Sequence, residues 1–114
     1  MSFRIKLFRT AVREVDQILD WLIRERKVPA AAKAWYQAYE RAIAELRDSP
    51  ERFPFAPENS TVDFEVRHML FKTRRGRPYR LLFTIVGNEV RVLHVRGPGQ
   101  DLVPPEKLAF GDGT

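Results

Sequence analysis

The sequence predicts an α+β fold in which an N-terminal strand, an antiparallel helical hairpin and a three-stranded antiparallel meander build one mostly antiparallel sheet with the helices on one face. Three observations lead to this prediction: an alternating N-terminal segment, two consecutive segments with helical spacing, and three strand-like segments after a proline-rich stretch. A chain of 114 residues is the size of one domain and can bury a core without disulfides. We expect residues 1–103 to form that domain and residues 104–114 to form a short tail.

The first element is predicted to be a strand, because apolar and basic side chains alternate over residues 3–7. Thr10 can then cap a helix that carries Glu14 near its positively polarised end and continues to about Arg26. One face of this helix is expected to be buried. Its apolar stripe consists of Val12, Val15, Ile18, Leu19 and Leu22.

A second helix is predicted to begin at Pro29, whose fixed φ suits a first helical turn, and to continue to about Arg47. Alanines fill its first turns and favour helix formation. The two helices are separated by two or three residues, so they form an antiparallel hairpin whose apolar side must pack against another element. The residues that we expect in the core are Trp21, Trp35, Tyr39, Leu46, Phe83 and Val92.

Three prolines between residues 49 and 60 exclude regular structure there, so this stretch is predicted to be a loop. The meander follows, with a cationic loop at residues 72–78 and a two-residue turn at Gly87-Asn88. Pro104-Pro105 and residues 111–114 are expected to be poorly ordered. The predicted strands of the meander are residues 64–71, 79–86 and 89–96.

The Gly87-Asn88 turn also predicts how the last two strands pair. An uninterrupted register from this turn places Leu81 opposite His94, on the face that the helices cover. Arg80 and Arg91 would then project from the face that the helices leave open. A slip of one residue would reverse these assignments.

Positive charge is concentrated in one part of the chain. The whole sequence contains 20 Lys+Arg and 15 Asp+Glu, a net charge of +5. Residues 65–96 alone contain eight basic and two acidic residues, a net +6, so the remainder carries −1. A solvated arginine-rich face and a binding site for an anionic partner are both open interpretations of this segment. Its basic residues are Arg67, Lys72, Arg74, Arg75, Arg77, Arg80, Arg91 and Arg96.

The composition excludes several classes of function. The chain has no cysteine, which removes disulfides, thiol nucleophiles and thiolate metal sites. Two histidines are too few for a typical zinc site, and one small domain leaves no room for a cofactor module. No apolar stretch is long enough to cross a membrane, and the N-terminus is not that of a signal peptide. We therefore expect a cytoplasmic protein without a metal or a cofactor.

The order of elements, together with five short motifs, resembles the RelE/ParE superfamily of bacterial toxins over about residues 3–103. The resemblance implies the toxin of a type II toxin–antitoxin system, a growth inhibitor neutralised by a cognate antitoxin, and extends to proteins of plasmid stabilisation. In such pairs an extended, often acidic segment of the antitoxin wraps the toxin. The motifs are residues 3–10, Leu46-Arg-Asp-Ser-Pro50, Val66-Arg67, Tyr79-Arg-Leu-Leu-Phe83 and Val92-Leu-His-Val-Arg96.

The superfamily includes two mechanisms. RelE-type members cleave messenger RNA on the ribosome, and Arg80 and Arg96 match the positions of their catalytic arginines. Such arginines could stabilise the charge that develops when a 2′-hydroxyl attacks a phosphate. A C-terminal tyrosine or histidine for proton transfer is missing, however, since neither residue occurs after Arg96. His68 and His94 are the only histidines, and the register makes His94 a core residue.

ParE-type members instead inhibit DNA gyrase and lack the ribonuclease residues. The long helical hairpin and the Leu-His-Val-Arg ending of the last strand favour this branch. Whether the chain is an enzyme is therefore left open, and the absence of enzymatic activity is favoured. A non-toxic nucleic-acid-binding module is a third interpretation, based on the charge of residues 65–96 alone.

The predicted partners are a cognate antitoxin and, as target, either DNA gyrase or the ribosome with its messenger RNA. The cationic face can serve either of them, and it can also be chiefly the docking site of the antitoxin. Arg80 and Arg96 are predicted to be catalytic only if the chain is RelE-like. The residues predicted to bind a target or the antitoxin are Arg67, Arg74, Arg75, Arg77, Arg80, Arg91 and Arg96.

Overall fold

The computed structural model describes residues 2–108, which contain the predicted elements in the predicted order. The α+β prediction, with the helices on one face of one mostly antiparallel sheet, is confirmed. No helix of the described residues is long and apolar enough to cross a membrane. The elements are β1 (Arg4–Leu7), α1 (Arg9–Arg24), α2 (Pro29–Glu45), β2 (Arg67–Phe71), β3 (Tyr79–Val86) and β4 (Glu89–Arg96).

The four strands lie in the order β1-β4-β3-β2. β2, β3 and β4 form the antiparallel meander, whereas β1 pairs with β4 in parallel. The turn between β3 and β4 contains Gly87 at a φ of 61°, a left-handed conformation that glycine adopts without a steric penalty. β1 pairs only with the first half of β4, from Glu89 to Val92, so the second half of β4 has a free edge.

α1 lies two residues earlier in the sequence than predicted, and α2 ends two residues earlier. α1 begins at Arg9 and has Phe8 rather than Thr10 at its N-cap, because β1 continues directly into the helix and the Phe8 amide bonds to the Val92 carbonyl. α1 ends at Arg24, and Lys27 in the connection adopts a φ of 54°. This left-handed residue turns the chain into α2, with Pro29 in the first turn as predicted.

The helices and the sheet enclose an aromatic core. Trp35 packs between Tyr39, Phe71 and Tyr79, with ring centroids 5.3 to 5.7 Å apart. Five of the predicted core residues are buried: Trp35, Tyr39, Leu46, Phe83 and Val92. The prediction for Trp21 is wrong, since 46% of this residue is exposed.

The opposite face of the sheet is not left open as expected. A second apolar cluster lies there, in which Leu82 and Leu93 of the sheet are covered by the segment that precedes β2 and by the C-terminal segment. The first contains two short 3-10 helices, Pro50–Arg52 and Pro57–Thr61. The second contains another, Pro105–Lys107, whose following residue Leu108 is 1% exposed. Pro104-Pro105 are therefore ordered, contrary to expectation; residues 111–114 lie outside the described residues.

The observed pairing of β3 with β4 differs from the predicted pairing because β4 contains a β-bulge. The pairing follows the prediction from the turn as far as Phe83 opposite Val92, but Leu82 then pairs with His94, so Leu93 is an extra residue on β4. Leu81 consequently lies opposite Val95, and the predicted Leu81–His94 pair is wrong. An unrecognised bulge shifts every later pair by one residue.

Candidate functional site

A groove of about 950 Å³ lies between α1, the start of α2 and the loops that follow β2 and β4. The helices contribute apolar side chains, among them the half-buried Ile18 and Leu22 and the exposed Trp21. Basic side chains from three other parts of the chain border the same groove. These are Arg26, Arg75, Arg77 and Arg96.

The β2–β3 loop, residues 72–78, carries the exposed part of the predicted cationic segment. Its turn is closed by a hydrogen bond from the Gly76 amide to the Thr73 carbonyl, and a Cβ on Gly76 would come too close to Thr73 Oγ1. The side chains of Arg74, Arg75 and Arg77 are exposed, and within residues 2–108 none of them forms an ion pair. This loop, which we call the cationic loop, therefore presents unneutralised positive charge beside the groove.

Arg80 is in a different situation from the loop arginines. Its guanidinium donates to both oxygens of Glu58, at 2.9 Å to Oε1 and 2.8 Å to Oε2. Glu58 is 1% exposed and sits in the second 3-10 helix, where its Oε2 also accepts a hydrogen bond from the Val103 amide at 3.0 Å. Burial opposes ionisation of Glu58, but the hydrogen bonds from Arg80 and Val103 outweigh it and lower its pKa to about 2.

Arg96 lies directly opposite Arg80 as a result of the β-bulge. Like charges at paired positions repel each other, and each arginine is compensated by its own acidic residue. Arg96 donates to the Asp101 carbonyl at 2.7 Å and lies 3.8 Å from the Glu14 carboxylate. The two arginines that match the RelE-type catalytic positions are thus neighbours, but both are engaged in contacts within the chain.

Glu14 of α1 closes the free edge of β4. Its Oε1 accepts a hydrogen bond from the Val95 amide at 2.8 Å, which β1 is too short to satisfy. The same carboxylate lies 3.1 and 3.2 Å from Nδ1 of His94. Glu14 therefore replaces a missing strand partner and also borders the groove.

Arg67 and Arg91 are also held within the chain. Arg67 donates to the Phe53 carbonyl at 2.6 Å and to the Glu51 carbonyl at 3.0 Å, and its guanidinium stacks over Phe55. Arg91 donates from Nε to Glu89 at 2.7 Å. Four of the seven predicted binding arginines thus stabilise the fold locally, and the cationic loop holds the other three; their roles in binding remain predictions.

The side chains that could transfer a proton are engaged in contacts within the chain. Burial, together with the charge of Arg80, lowers the pKa of His68, whose Nδ1 lies 3.4 Å from the Arg80 guanidinium. Burial raises the pKa of Tyr79, whose ring packs against Trp35 and Phe71. His94 is 3% exposed and has a partner at each ring nitrogen. Residues 2–108 contain no group of three or more His, Asp or Glu placed to hold a metal ion.

Sequence reasoning did not identify Glu58, and it placed Glu14 only near the start of α1, without its contacts to β4. Glu58 lies in the proline-rich loop, 22 residues before its partner Arg80, and Glu14 lies 80 residues before His94. No local pattern pairs charges at such separations. Only the tertiary fold brings these residues together.

The geometry agrees with comparisons to known proteins. The family described as "ParE toxin of type II toxin-antitoxin system, parDE" matches residues 5–102. A solved structure of the chromosomal ParDE system from P. aeruginosa is 22% identical, with a TM-score of 0.62, and the match covers 83% of this chain and 95% of that chain.

A mutant of the E. coli toxin RelE in the free state is 14% identical, with a TM-score of 0.50, and the match covers 99% of this chain and 95% of that chain. At these identities the two structures establish a shared fold. Comparison with curated proteins gives no match. Because the family match includes most of the sequence, the chain belongs to the ParE toxin family of type II toxin–antitoxin systems.

Proposed function

We propose that the chain arrests bacterial growth by inhibiting DNA gyrase and that a cognate antitoxin keeps it silent. Membership in the ParE toxin family supports this function. The observation that favours it over messenger RNA cleavage is the bidentate ion pair between Arg80 and the buried Glu58.

A RelE-type reaction requires arginines that are free to hold a phosphate. To reach a phosphate, Arg80 would have to leave Glu58, which would leave that buried carboxylate without its counter-charge. Arg96 is bound to the Asp101 carbonyl and lies near Glu14. Residues 97–114 contain neither tyrosine nor histidine, the two residue types that RelE-type members use for proton transfer at this end of the chain.

The groove and the cationic loop are the surface that we propose for the antitoxin. An incoming segment with an apolar side could pack on Ile18, Leu22 and Trp21, while its acidic side chains pair with Arg75 and Arg77. Pairing of exposed charges gives mainly specificity and fast association, whereas the apolar contact supplies affinity. This arrangement agrees with an antitoxin whose binding segment is acidic and amphipathic.

Expression of the chain with and without its antitoxin tests the proposed target. Without the antitoxin we expect growth arrest, induction of a DNA-damage reporter and intact messenger RNA. The purified protein should inhibit supercoiling by DNA gyrase, and the antitoxin should reverse this inhibition. Rapid cleavage of ribosome-bound transcripts with normal gyrase activity would show that the proposed target is wrong.

Arg80→Lys provides a control for the ribonuclease mechanism. Lysine keeps a positive charge beside Glu58 but loses the planar fork that binds a phosphate at two points. If circular dichroism shows that the variant is folded, its toxicity should persist. Loss of toxicity in a folded variant would instead support a catalytic role for Arg80.

A further inference from the structure

The C-terminal segment, residues 101–108, is fixed to the second face of the sheet at two polar points. At its start, the Val103 amide donates to Glu58 at 3.0 Å. At its end, the Lys107 carbonyl lies 2.8 Å from Nε2 of His94. Val103 and Leu108 are 2% and 1% exposed, so these points hold apolar residues in the second cluster.

Both ring nitrogens of His94 face groups that can only accept a hydrogen bond. Nδ1 lies 3.1 and 3.2 Å from the carboxylate oxygens of Glu14, and Nε2 faces the Lys107 carbonyl. A neutral imidazole has one N–H and therefore satisfies one of these acceptors. The imidazolium ion has two N–H groups and satisfies both.

We propose that protonated His94 is a latch that holds the end of the C-terminal segment against the sheet, and that loss of its proton releases residues 104–108. The neutral ring keeps its remaining proton on Nδ1, because a hydrogen bond to the Glu14 carboxylate is stronger than one to a neutral carbonyl. The lone pair on Nε2 then faces the Lys107 carbonyl oxygen, and that contact is lost.

The charges around His94 support this assignment. Glu14 approaches from α1 and favours the imidazolium, while Arg96 on the same strand opposes it. The C-terminal segment contributes the Lys107 carbonyl. Burial lowers the pKa of His94, but the hydrogen bonds with Glu14 and Lys107 outweigh burial, and the pKa lies above the ordinary value of 6.5.

The direction of the pH response follows from a raised pKa. The stabilisation is complete below the pKa of the unfolded chain and disappears as the pH rises through the pKa of the folded state. The segment is therefore docked below about pH 6.5 and released as the pH rises through the raised pKa of His94. Val103 stays attached, because Glu58 with its pKa of about 2 remains ionised throughout this range.

Release of residues 104–108 would remove Leu108 from the apolar cluster that it shares with Leu82 and Leu93, while Val103 stays in place. This latch is a regulatory device separate from the groove and does not depend on the target of the toxin. It would make part of this apolar cluster accessible only above the pKa of His94.

Amide hydrogen exchange measured by NMR tests the latch in the full chain. The amides of Lys107 and Leu108 bond to the carbonyls of Pro104 and Pro105, so their protection reports docking. After correction for intrinsic exchange, we expect this protection to fall roughly tenfold or more between about pH 6 and about pH 9, with a midpoint at the pKa of His94. Amides of α2 should show no such transition.

Two variants and one internal reference complete the test. His94→Gln should remove the transition, and Glu14→Gln should lower its midpoint. His68, whose pKa is lowered, should titrate below His94 in the same spectra. Protection that is constant across this range, or that changes at a pH unrelated to the titration of His94 in the wild-type protein, would overturn the proposal, and this comparison does not depend on either variant being folded.

Discussion

Arg80 of β3 and Glu58 of the proline-rich loop form a bidentate ion pair in which Glu58 is 1% exposed. Because Glu58 also accepts the Val103 amide, one carboxylate connects three segments that are distant in the sequence. The pair holds the second face of the sheet closed. It also prevents Arg80 from presenting its charge to a partner.

Glu58→Gln should lower the free energy of unfolding by about 3 kcal/mol, at the lower end of the range for a broken buried pair. Glutamine keeps the shape and can still accept the Val103 amide, but it leaves the Arg80 guanidinium without a counter-charge. The side chain of Arg80 is 18% exposed, so water relieves part of the cost. Urea denaturation followed by circular dichroism measures the change.

Glu65→Gln is the matched control for that measurement. Its carboxylate is 63% exposed and lies 3.6 Å from Arg67, so removal of its charge should cost less than about 1 kcal/mol. Equal losses for the two variants would contradict the structural role given to Glu58.

The acid stability of the protein should depend on Glu58. The pKa of this group is lowered from 4.5 to about 2, so its stabilising contribution is present above about pH 4.5 and disappears as the pH falls towards 2. In Glu58→Gln this part of the pH dependence should be absent. Unfolding free energies measured from pH 6 down to about pH 2 test this, and parallel curves for the two proteins would contradict it.

The meander illustrates what the sequence can predict and what it cannot. β3 and β4 have the predicted boundaries because the glycine turn and the apolar residues are local signals. The bulge at Leu93 depends on packing against both faces of the sheet, and the sequence around it gives no sign of an extra residue. All pairs beyond it were consequently misassigned, including those of Arg80 and His94.

The candidate site was predictable only in part. The cationic loop could be predicted because its charges are close together in the sequence, and its arginines are exposed in the structure. The arginines of the strands looked equivalent to the loop arginines, since a sequence does not show which cations meet a distant acid. The groove itself combines residues from both helices and two loops, and only the tertiary structure reveals it.

The two tryptophans should respond differently to truncation. Trp35→Ala removes the centre of the aromatic core and should cost about 3–5 kcal/mol of unfolding free energy. Trp21 is 46% exposed and stacks under the Arg26 guanidinium at 5.6 Å, so Trp21→Ala should cost about 1 kcal/mol or less. Chemical denaturation of both variants measures the difference, and a large loss for Trp21→Ala would place this residue in the core after all.

Charge reversal in the cationic loop should weaken the antitoxin complex without weakening the toxin itself. Arg75 and Arg77 border the groove, are exposed and have no acidic partner within residues 2–108, so Arg75→Glu/Arg77→Glu should change the unfolding free energy by about 0.5 kcal/mol or less. If they pair with acidic residues of the antitoxin, the complex should bind roughly tenfold or more weakly and depend less on salt.

Titration calorimetry at two salt concentrations measures this affinity. Lys33→Glu/Arg41→Glu is the matched control, because both residues are exposed on α2 outside the groove and the variant has the same net charge. The control should retain nearly wild-type affinity, since charges more than a Debye length from the partner are largely screened. Equal weakening by both variants would mean that net charge, rather than the cationic loop, determines binding.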